Sequence, residues 1–190
     1  MQSPAPAEPK EPAKKSGVKE AFEWIEMLAC ALVFVVFLFS FVFRVVTISG
    51  PSMNPTLWDG ERVIVTDFFY TPQVGDVIVF TLRGNTEPYI KRIIATEGQT
   101  VDFDPETASL IVDGSVVSEP YINEQMSDFY LWYDTSRFPI TVPEGQYFVM
   151  GDNRNHSLDS RRVAVGCVDR REIVGKAVFI LFPFNKIGAL

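Results

Sequence analysis

Apolar residues follow two different patterns along this chain. Residues 27–43 form one continuous run of seventeen residues without a charged side chain. As a helix this run would rise about 26 Å, slightly less than the roughly 30 Å hydrocarbon core of a bilayer, and Arg44 can extend its charge toward the headgroups. The run predicts a single membrane-spanning anchor helix, which we place at residues 21–44.

A cleaved signal peptide is the alternative interpretation of this run. The apolar core of a signal peptide is usually about 7–15 residues long and follows a short basic start, whereas here a long segment of mixed charge comes first. That segment, residues 1–20, is rich in proline, alanine and charge, so we expect a disordered tail. Its lysines outnumber the basic residues just after the helix, which favours a cytoplasmic tail and an extracytoplasmic domain at residues 45–190.

Short apolar runs separated by turn residues replace the long run in residues 45–190. Runs rich in β-branched and aromatic side chains predict strands, so we predict a mostly β domain. The predicted strands are residues 62–66, 76–82, 89–96, 109–112, 147–150 and 177–182. Residues 102–145 are richer in proline, acidic and aromatic residues and contain the hairpin signal Asp113-Gly114. We expect a small inserted β subdomain there.

Charge balance and the scarcity of metal-binding side chains exclude several functions. The chain has 17 basic and 24 acidic side chains, and the acidic excess lies entirely in residues 45–190. Because an acidic domain repels the phosphate backbone, we expect no nucleic-acid partner. One histidine and two widely separated cysteines, Cys30 and Cys167, make no zinc pattern and no disulfide framework, so we expect no metal and no cofactor.

Ser52 stands in the first of three polar stretches, S-G-P-S-M-N-P-T-L at residues 49–57. Gly50, Pro51 and Pro55 bend and stiffen the backbone around this hydroxyl, which would hold a nucleophile and its own N–H in fixed geometry. Taken alone, a Gly-Pro-Ser stretch is more often simply a turn.

Lys91 lies in the second stretch, Y-I-K-R-I-I-A at residues 89–95. In a strand, alternation puts Lys91 on the face shared by Tyr89 and Ile93 and opposite to Arg92, where it would be buried. A buried ammonium costs several kcal/mol, and a lowered pKa that leaves a neutral amine relieves that cost. Such an amine can take the proton of a serine hydroxyl. The alternative is a lysine at a sheet edge whose amine reaches water.

The third stretch is G-D-N-R-N-H-S-L-D-S-R-R at residues 151–162. Its density of acids, guanidiniums, amides and hydroxyls favours a hydrogen-bonded scaffold over a solvated turn. It contains His156, the only histidine, so a Ser-His-Asp triad would have to combine His156 with Ser52. We favour His156 as a bystander, because a lysine base already accounts for a buried Lys91.

The three stretches, in this order after an apolar helix, resemble bacterial type I signal peptidases. The similarity extends from about Trp24 to the final G-K-A-V-F-I-L-F-P-F stretch and includes G-D-V-I-V-F at residues 75–80. It implies a signal-peptidase-like β catalytic domain and a membrane-bound serine endopeptidase that removes signal peptides from exported preproteins. Such enzymes cut after small residues, typically alanine at the first and third positions before the bond.

By this resemblance Ser52 is the nucleophile and Lys91 its general base. Five further residues are implied to support the site without attacking the substrate: Ser157, Asp159, Arg161, Asp152 and Arg154. Ser157 would hydrogen-bond the lysine amine, and Asp159 would pair with Arg161. Asp152 and Arg154 would brace the same loop.

The resemblance also bears on the oxyanion and the substrate cleft. Gly50 replaces the hydroxyl residue that some members carry two positions before the nucleophile, so backbone N–H groups, including that of Ser52, would hold the oxyanion. Ile48, Met53 and Leu158 are the candidate cleft residues, and an extended substrate could add as a strand to a sheet edge.

Two aromatic clusters, residues 68–70 and 129–133, are candidates for contact with the lipid surface. The first is equally consistent with core packing, whereas the second lies in the inserted segment, which favours exposure.

Two other functions stay open. A non-catalytic, membrane-tethered β module that binds export partners is disfavoured by the presence of both Ser52 and Lys91. A self-cleaving Ser/Lys protease of the repressor-processing type is disfavoured by the anchor. The sequence makes no prediction about the oligomeric state.

Overall fold

The computed structural model describes residues 17–85, 87–104, 106–127 and 135–190, which fall into two units. The first unit contains α1, Gly17–Phe41, a helix of 25 residues in which no side chain is buried. Its mean hydropathy reaches 2.4 over 18 residues. At 1.5 Å per residue the helix is about 37 Å long, so by length and composition it can cross a membrane.

The helix begins and ends earlier than the predicted residues 21–44. It ends at Phe41, and Arg44 is the first residue of strand β1. Val45, Val46 and Thr47 leave the helix because these β-branched side chains favour a strand and pair with β2.

The second unit, Val42–Leu190, contains a large antiparallel sheet. Its strands follow the order β1-β2-β11-β3-β4-β9-β10, and β12 pairs with β11. These strands are β1 Arg44–Thr47, β2 Arg62–Thr66, β3 Val77–Phe80, β4 Tyr89–Thr96, β9 Gln146–Met150, β10 Val168–Asp169, β11 Ile173–Phe182 and β12 Gly188–Ala189. The unit is mostly β, as predicted.

A small antiparallel sheet has the order β7-β6-β5-β8. Its strands are β5 Thr100–Phe103, β6 Leu110–Val112, β7 Ser115–Val116 and β8 Ile140–Thr141. Asp113 and Gly114 both have positive φ, 51° and 77°, and form the two-residue turn between β6 and β7 that the Asp-Gly signal predicts. The sheet starts two residues before the expected insertion, because Thr100 already pairs with β8.

The two sheets share a hydrophobic core. Val101 and Leu110 of the small sheet pack with Phe148 and Met150 of β9, and each of these side chains is at most 1% exposed. Burying one such side chain contributes about 1.5–3 kcal/mol. The inserted segment therefore shares the core of the second unit and is not a separate body.

The two aromatic clusters differ in what the structure describes. Phe68 and Phe69 are 61% and 93% exposed, so these two rings do not belong to the core. Tyr70 is partly buried and donates a hydrogen bond of 2.8 Å to Asp76. The second cluster, residues 129–133, lies outside the described residues.

Candidate active site

Ser52 lies in a tight turn between β1 and β2. The turn is anchored from inside the domain, because Met53 and Leu57 are fully buried in one core cluster. The Leu57 N–H donates to the Met53 carbonyl at 2.9 Å, and the Gly50 N–H donates to the Asp59 carboxylate at 2.8 Å. Gly50 has a φ of 84°, which residues with a Cβ rarely adopt. The Ser52 hydroxyl is thus presented from a fixed backbone.

Lys91 reaches this hydroxyl from β4. Its Cα pairs with Ile78 of β3, and only 3% of the residue is exposed, so the burial predicted from the alternation is confirmed. The Lys91 Nζ lies 2.8 Å from the Ser52 Oγ and donates to the Ile90 carbonyl at 2.7 Å. The amine and the hydroxyl are therefore in hydrogen-bond contact.

The surroundings of Lys91 favour its neutral form. Burial lowers its pKa to about 8. Nearby charges act in both directions, since the carboxylates of Asp159 and Asp152 raise the pKa and Arg161 lowers it. A useful fraction of the amine is therefore uncharged slightly above neutral pH and can accept a proton.

Asp159 and Arg161 form a buried ion pair. Both residues are fully buried, and the guanidinium donates two hydrogen bonds of 2.8 Å to the carboxylate. The Gly151 N–H adds a third at 3.0 Å. Burial raises the pKa of Asp159, but the Arg161 guanidinium and the Gly151 N–H outweigh it and hold the pKa below its usual range. Through the Gly151 N–H, this ion pair connects the start of the third stretch to its end.

Asp152 and Arg154 are held by partners outside the third stretch. The Arg92 guanidinium donates to both Asp152 oxygens, at 2.9 and 2.6 Å, and the Thr56 hydroxyl also donates to Asp152. Arg154 forms an ion pair with Glu119 of the inserted segment. Asp152 and Arg154 are 0% and 1% exposed, so both charges are neutralised inside the protein.

Three of these partners, Arg92, Thr56 and Glu119, were not predicted. The strand alternation did predict that Arg92 points away from Lys91, which indicates that its side chain binds a different partner. Glu119 lies 35 residues before Arg154 in the chain, and no local pattern joins them.

The third stretch also contacts the turn that carries Ser52 through its backbone. The Asn153 N–H donates to the Ser52 carbonyl at 3.0 Å, and the Asn153 side chain donates to the Pro51 carbonyl at 3.1 Å. A Cβ at Gly151 would collide with the Ser52 carbonyl and with the Ser157 side chain. Glycine at this position lets the two segments approach each other.

Ser157 is close to the Ser52 turn, but its predicted hydrogen bond to Lys91 is not formed. Its buried Oγ makes no well-formed hydrogen bond to another described residue, and it lies close enough to the Asp159 carboxylate to help hold the pKa of that group below its usual range. The amine instead uses the Ile90 carbonyl and the Ser52 hydroxyl. Because the serine Oγ lies only one bond beyond Cβ, the distance from this hydroxyl to the Lys91 amine is set by the backbone position of the loop.

A groove of about 540 Å³ passes over the dyad. Among its lining residues are Val46, Ile48, Ser52, Tyr89, Lys91 and Leu158. Two of the three candidate cleft residues, Ile48 and Leu158, thus line it. Met53 does not, because its side chain points into the core and is fully buried.

His156 does not take part in this arrangement. Its side chain is exposed, whereas the Ser52 hydroxyl is already in contact with Lys91. Among the described residues, no group of three or more His, Cys, Asp or Glu side chains could hold a metal ion.

A serine hydroxyl in contact with a buried amine, beside an open groove, is an arrangement suited to acyl transfer by a serine hydrolase. The comparisons with known proteins give the particular family. The family model for signal peptidases, peptidase S26, matches residues 21–182. The chain belongs to this family and is a serine peptidase of the type I signal peptidase group.

Two relatives at 37% sequence identity agree with this assignment. The chain is 37% identical over 174 residues to a signal peptidase I of Bacillus licheniformis, covering 87% of this chain and 91% of the relative. It is 37% identical over 182 residues to signal peptidase IB of Staphylococcus aureus, covering 88% and 93%. A crystal structure of a signal peptidase I from Enterococcus faecalis matches with 30% identity and a TM-score of 0.46, covering 56% of this chain and 97% of that one.

Proposed function

We propose that this chain removes N-terminal signal peptides from exported preproteins, with Ser52 as nucleophile and Lys91 as general base. The observation that carries the proposal is the 2.8 Å contact between the Ser52 Oγ and the amine of a lysine that is only 3% exposed. Burial supplies the lowered pKa that a lysine needs to act as a base.

The proposed first step is attack by the Ser52 Oγ on the carbonyl carbon before the scissile bond. The neutral Lys91 amine takes the hydroxyl proton as the new C–O bond forms. One of its N–H groups already donates to the Ile90 carbonyl, which helps to aim the lone pair at Ser52. The resulting ammonium then gives its proton to the leaving amine, and water hydrolyses the acyl-enzyme by the same route.

The negative charge of the tetrahedral intermediate needs donors beside Ser52. The Ser52 N–H forms no hydrogen bond with another described residue, so it is available for the oxyanion. The Gly50 N–H is occupied by Asp59. We assign the Ser52 N–H as one donor of the oxyanion hole.

The polar loop after β9 supports these two residues and does not react. Asp159, paired with Arg161, accepts a hydrogen bond from the Gly151 N–H at the start of the loop. Asp152 and Arg154 bind the loop to Arg92 of β4 and to Glu119 of the inserted segment. Ser157 is available to orient the Lys91 amine when the substrate enters, because its buried hydroxyl makes no well-formed hydrogen bond to another described residue.

Groove shape and strand order support an extended substrate with small side chains. β1 is the edge strand of the large sheet, and Val46 and Thr47 of β1 line the groove. An extended preprotein segment can therefore pair with β1 while its side chains enter the apolar part of the groove. The apolar side chains of Ile48 and Leu158 line this groove, which suits small apolar residues such as alanine and fits cleavage after an Ala-x-Ala sequence.

We propose that α1 anchors the enzyme in the cell membrane with its N-terminus in the cytoplasm and the catalytic unit outside. Phe68 and Phe69 are proposed to touch the lipid surface. Phe68 and Phe69 come just after the end of β2, where Val65 pairs with Arg44 at the start of β1. Arg44 in turn comes three residues after the end of α1 in the sequence. Exposed aromatic rings are stabilised at the membrane interface.

Cleavage of a preprotein with an Ala-x-Ala junction tests the proposal. Full-length wild type, Ser52→Ala and Lys91→Ala are compared in detergent, with Ser115→Ala and Lys176→Ala as matched controls. We expect cleavage at the junction to fall by at least about 10³-fold in the first two variants and to stay unchanged in the controls. Cleavage that survives Ser52→Ala would overturn the mechanism, and an inactive wild type in several lipids would favour a binding module.

A further inference from the structure

Tyr121, in the inserted segment, lies between the two ion pairs that hold the catalytic loop. Its ring faces the Arg92 guanidinium, with 4.2 Å between the guanidinium carbon and the ring centre. Its hydroxyl donates to the Glu119 carboxylate at 2.9 Å, and Glu119 is the partner of Arg154. Tyr121 thus contacts both Arg92–Asp152 and Glu119–Arg154.

These two ion pairs flank the residue that contacts the nucleophile. Asp152 and Arg154 stand immediately before and after Asn153, whose N–H donates to the Ser52 carbonyl. A shift of either pair would move this contact.

Arg92 has a second link to the catalytic dyad, because it follows Lys91 in β4. Its guanidinium is fixed on three sides: by Asp152, by the Gly75 carbonyl at 2.7 Å, and by the face of Tyr121. A cation over an aromatic face is held more strongly where water is excluded, and the Arg92 side chain is 12% exposed. Tyr121 closes the side of the guanidinium that the hydrogen bonds leave open.

We propose that Tyr121 is a positioning residue for the catalytic dyad, through which the inserted segment sets the distance between the Ser52 hydroxyl and the Lys91 amine. The proposal rests on the dyad mechanism proposed above. It gives the inserted segment a specific part in catalysis: the segment supplies Glu119 and Tyr121, which hold the loop that contains Asp152 and Arg154.

Two substitutions separate the contributions of the ring and the hydroxyl. Tyr121→Phe keeps the ring over Arg92 and removes the hydrogen bond to Glu119. Tyr121→Leu keeps apolar bulk and removes both contacts. Tyr147→Leu is the matched control. Tyr147 is another partly buried tyrosine, and it packs against a hydrophobic core cluster to which Tyr121 does not belong.

The assay measures kcat and KM for preprotein cleavage by the full-length enzyme, the pH dependence of kcat/KM, and the melting temperature. We expect kcat to fall about threefold to tenfold in Tyr121→Phe and about tenfold to a hundredfold in Tyr121→Leu, with KM within about twofold. In Tyr121→Leu the midpoint of the pH profile moves upward, because a loosened Arg92 neutralises Asp152 less completely. Tyr147→Leu keeps the wild-type kcat and pH profile.

Wild-type kcat in both Tyr121 variants overturns the proposal, and so does an equal loss of kcat in Tyr147→Leu, which would show general destabilisation. If Tyr121→Leu does not fold, Tyr121→Phe decides the matter by its kcat. Ser52→Ala in the same assay distinguishes the two proposals: activity in that variant refutes the dyad itself, whereas an inactive Ser52→Ala with unaffected Tyr121 variants refutes only the positioning role.

Discussion

Replacing Lys91 with methionine tests what the buried amine costs the fold. The variant keeps a long side chain in the core and removes the charge. Burial lowers the pKa of Lys91 from 10.5 to about 8 in the folded protein. At roughly 1.36 kcal/mol per pKa unit, this shift corresponds to about 3 kcal/mol of unfolding free energy lost at pH 7. The inactive Lys91→Met enzyme is therefore expected to be more stable than the wild type.

The sign of the pH dependence follows from proton binding. Between about pH 8 and 10.5 the unfolded chain holds a proton on this lysine that the folded chain has released, so wild-type stability rises with pH in that window. Below pH 8 the penalty is full. The advantage of Lys91→Met over the wild type should consequently be about 2 kcal/mol smaller at pH 9.5 than at pH 7.

Urea unfolding of the full-length protein in detergent micelles, followed by tryptophan fluorescence, measures both free energies. Comparing two pH values cancels the packing difference between lysine and methionine, which does not titrate. Ser52→Ala serves as the control, because it removes the hydroxyl and keeps the buried amine, so its stability should follow the wild type across pH. An advantage of Lys91→Met that is the same at both pH values would refute the lowered pKa.

Three further predictions concern the loop, the histidine and the lipid surface. Gly151→Ala should lower kcat by about 10²-fold or more, measured on the same preprotein, because its Cβ would collide with the Ser52 carbonyl; near-wild-type activity would contradict the close packing. His156→Ala should keep the wild-type kcat/KM, and a loss comparable to that in Ser52→Ala would restore the triad. In proteoliposomes with a photoactivatable phospholipid, the segment carrying Phe68 and Phe69 should be crosslinked, and absence of crosslinks there would refute the lipid contact.

The proximity of Ser52 and Lys91, and the pairing of Asp159 with Arg161, could be predicted because their signals are local. Ser52 follows a glycine and a proline that shape its turn, and Lys91 stands in a mostly apolar strand whose neighbouring residues Ile90 and Ile93 are buried. The two residues of the buried ion pair in the loop, Asp159 and Arg161, lie two positions apart in the sequence. Each of these features can be seen within a few neighbouring positions of the sequence.

Contacts between distant segments could not be predicted in the same way. Glu119 and Tyr121 reach the catalytic loop only because the small and large sheets share a core. Met53 was expected in the cleft, but the turn places Met53 and Leu57, four residues apart, on its inner side, where both are fully buried. Register between segments depends on packing, which no single stretch of sequence encodes.

Element boundaries failed where a local signal was interrupted. β11 begins at Ile173, four residues before the predicted start at residue 177. Gly175 interrupts the apolar run, yet it lies within the strand. Glycine is needed at this position because a Cβ there would collide with the Thr66 carbonyl of β2. The two-residue strands β10 and β12 exist only through their partners and have no hydrophobic pattern of their own.

The pH dependence of kcat/KM for preprotein cleavage by the full-length enzyme tests the lysine base most directly. We expect the rate to rise with pH through an apparent pKa of about 8, the value that burial gives Lys91. The rise should persist in His156→Ala. A midpoint near 6.5, the range of an ordinary imidazole, that disappears in His156→Ala would contradict Lys91 as the general base.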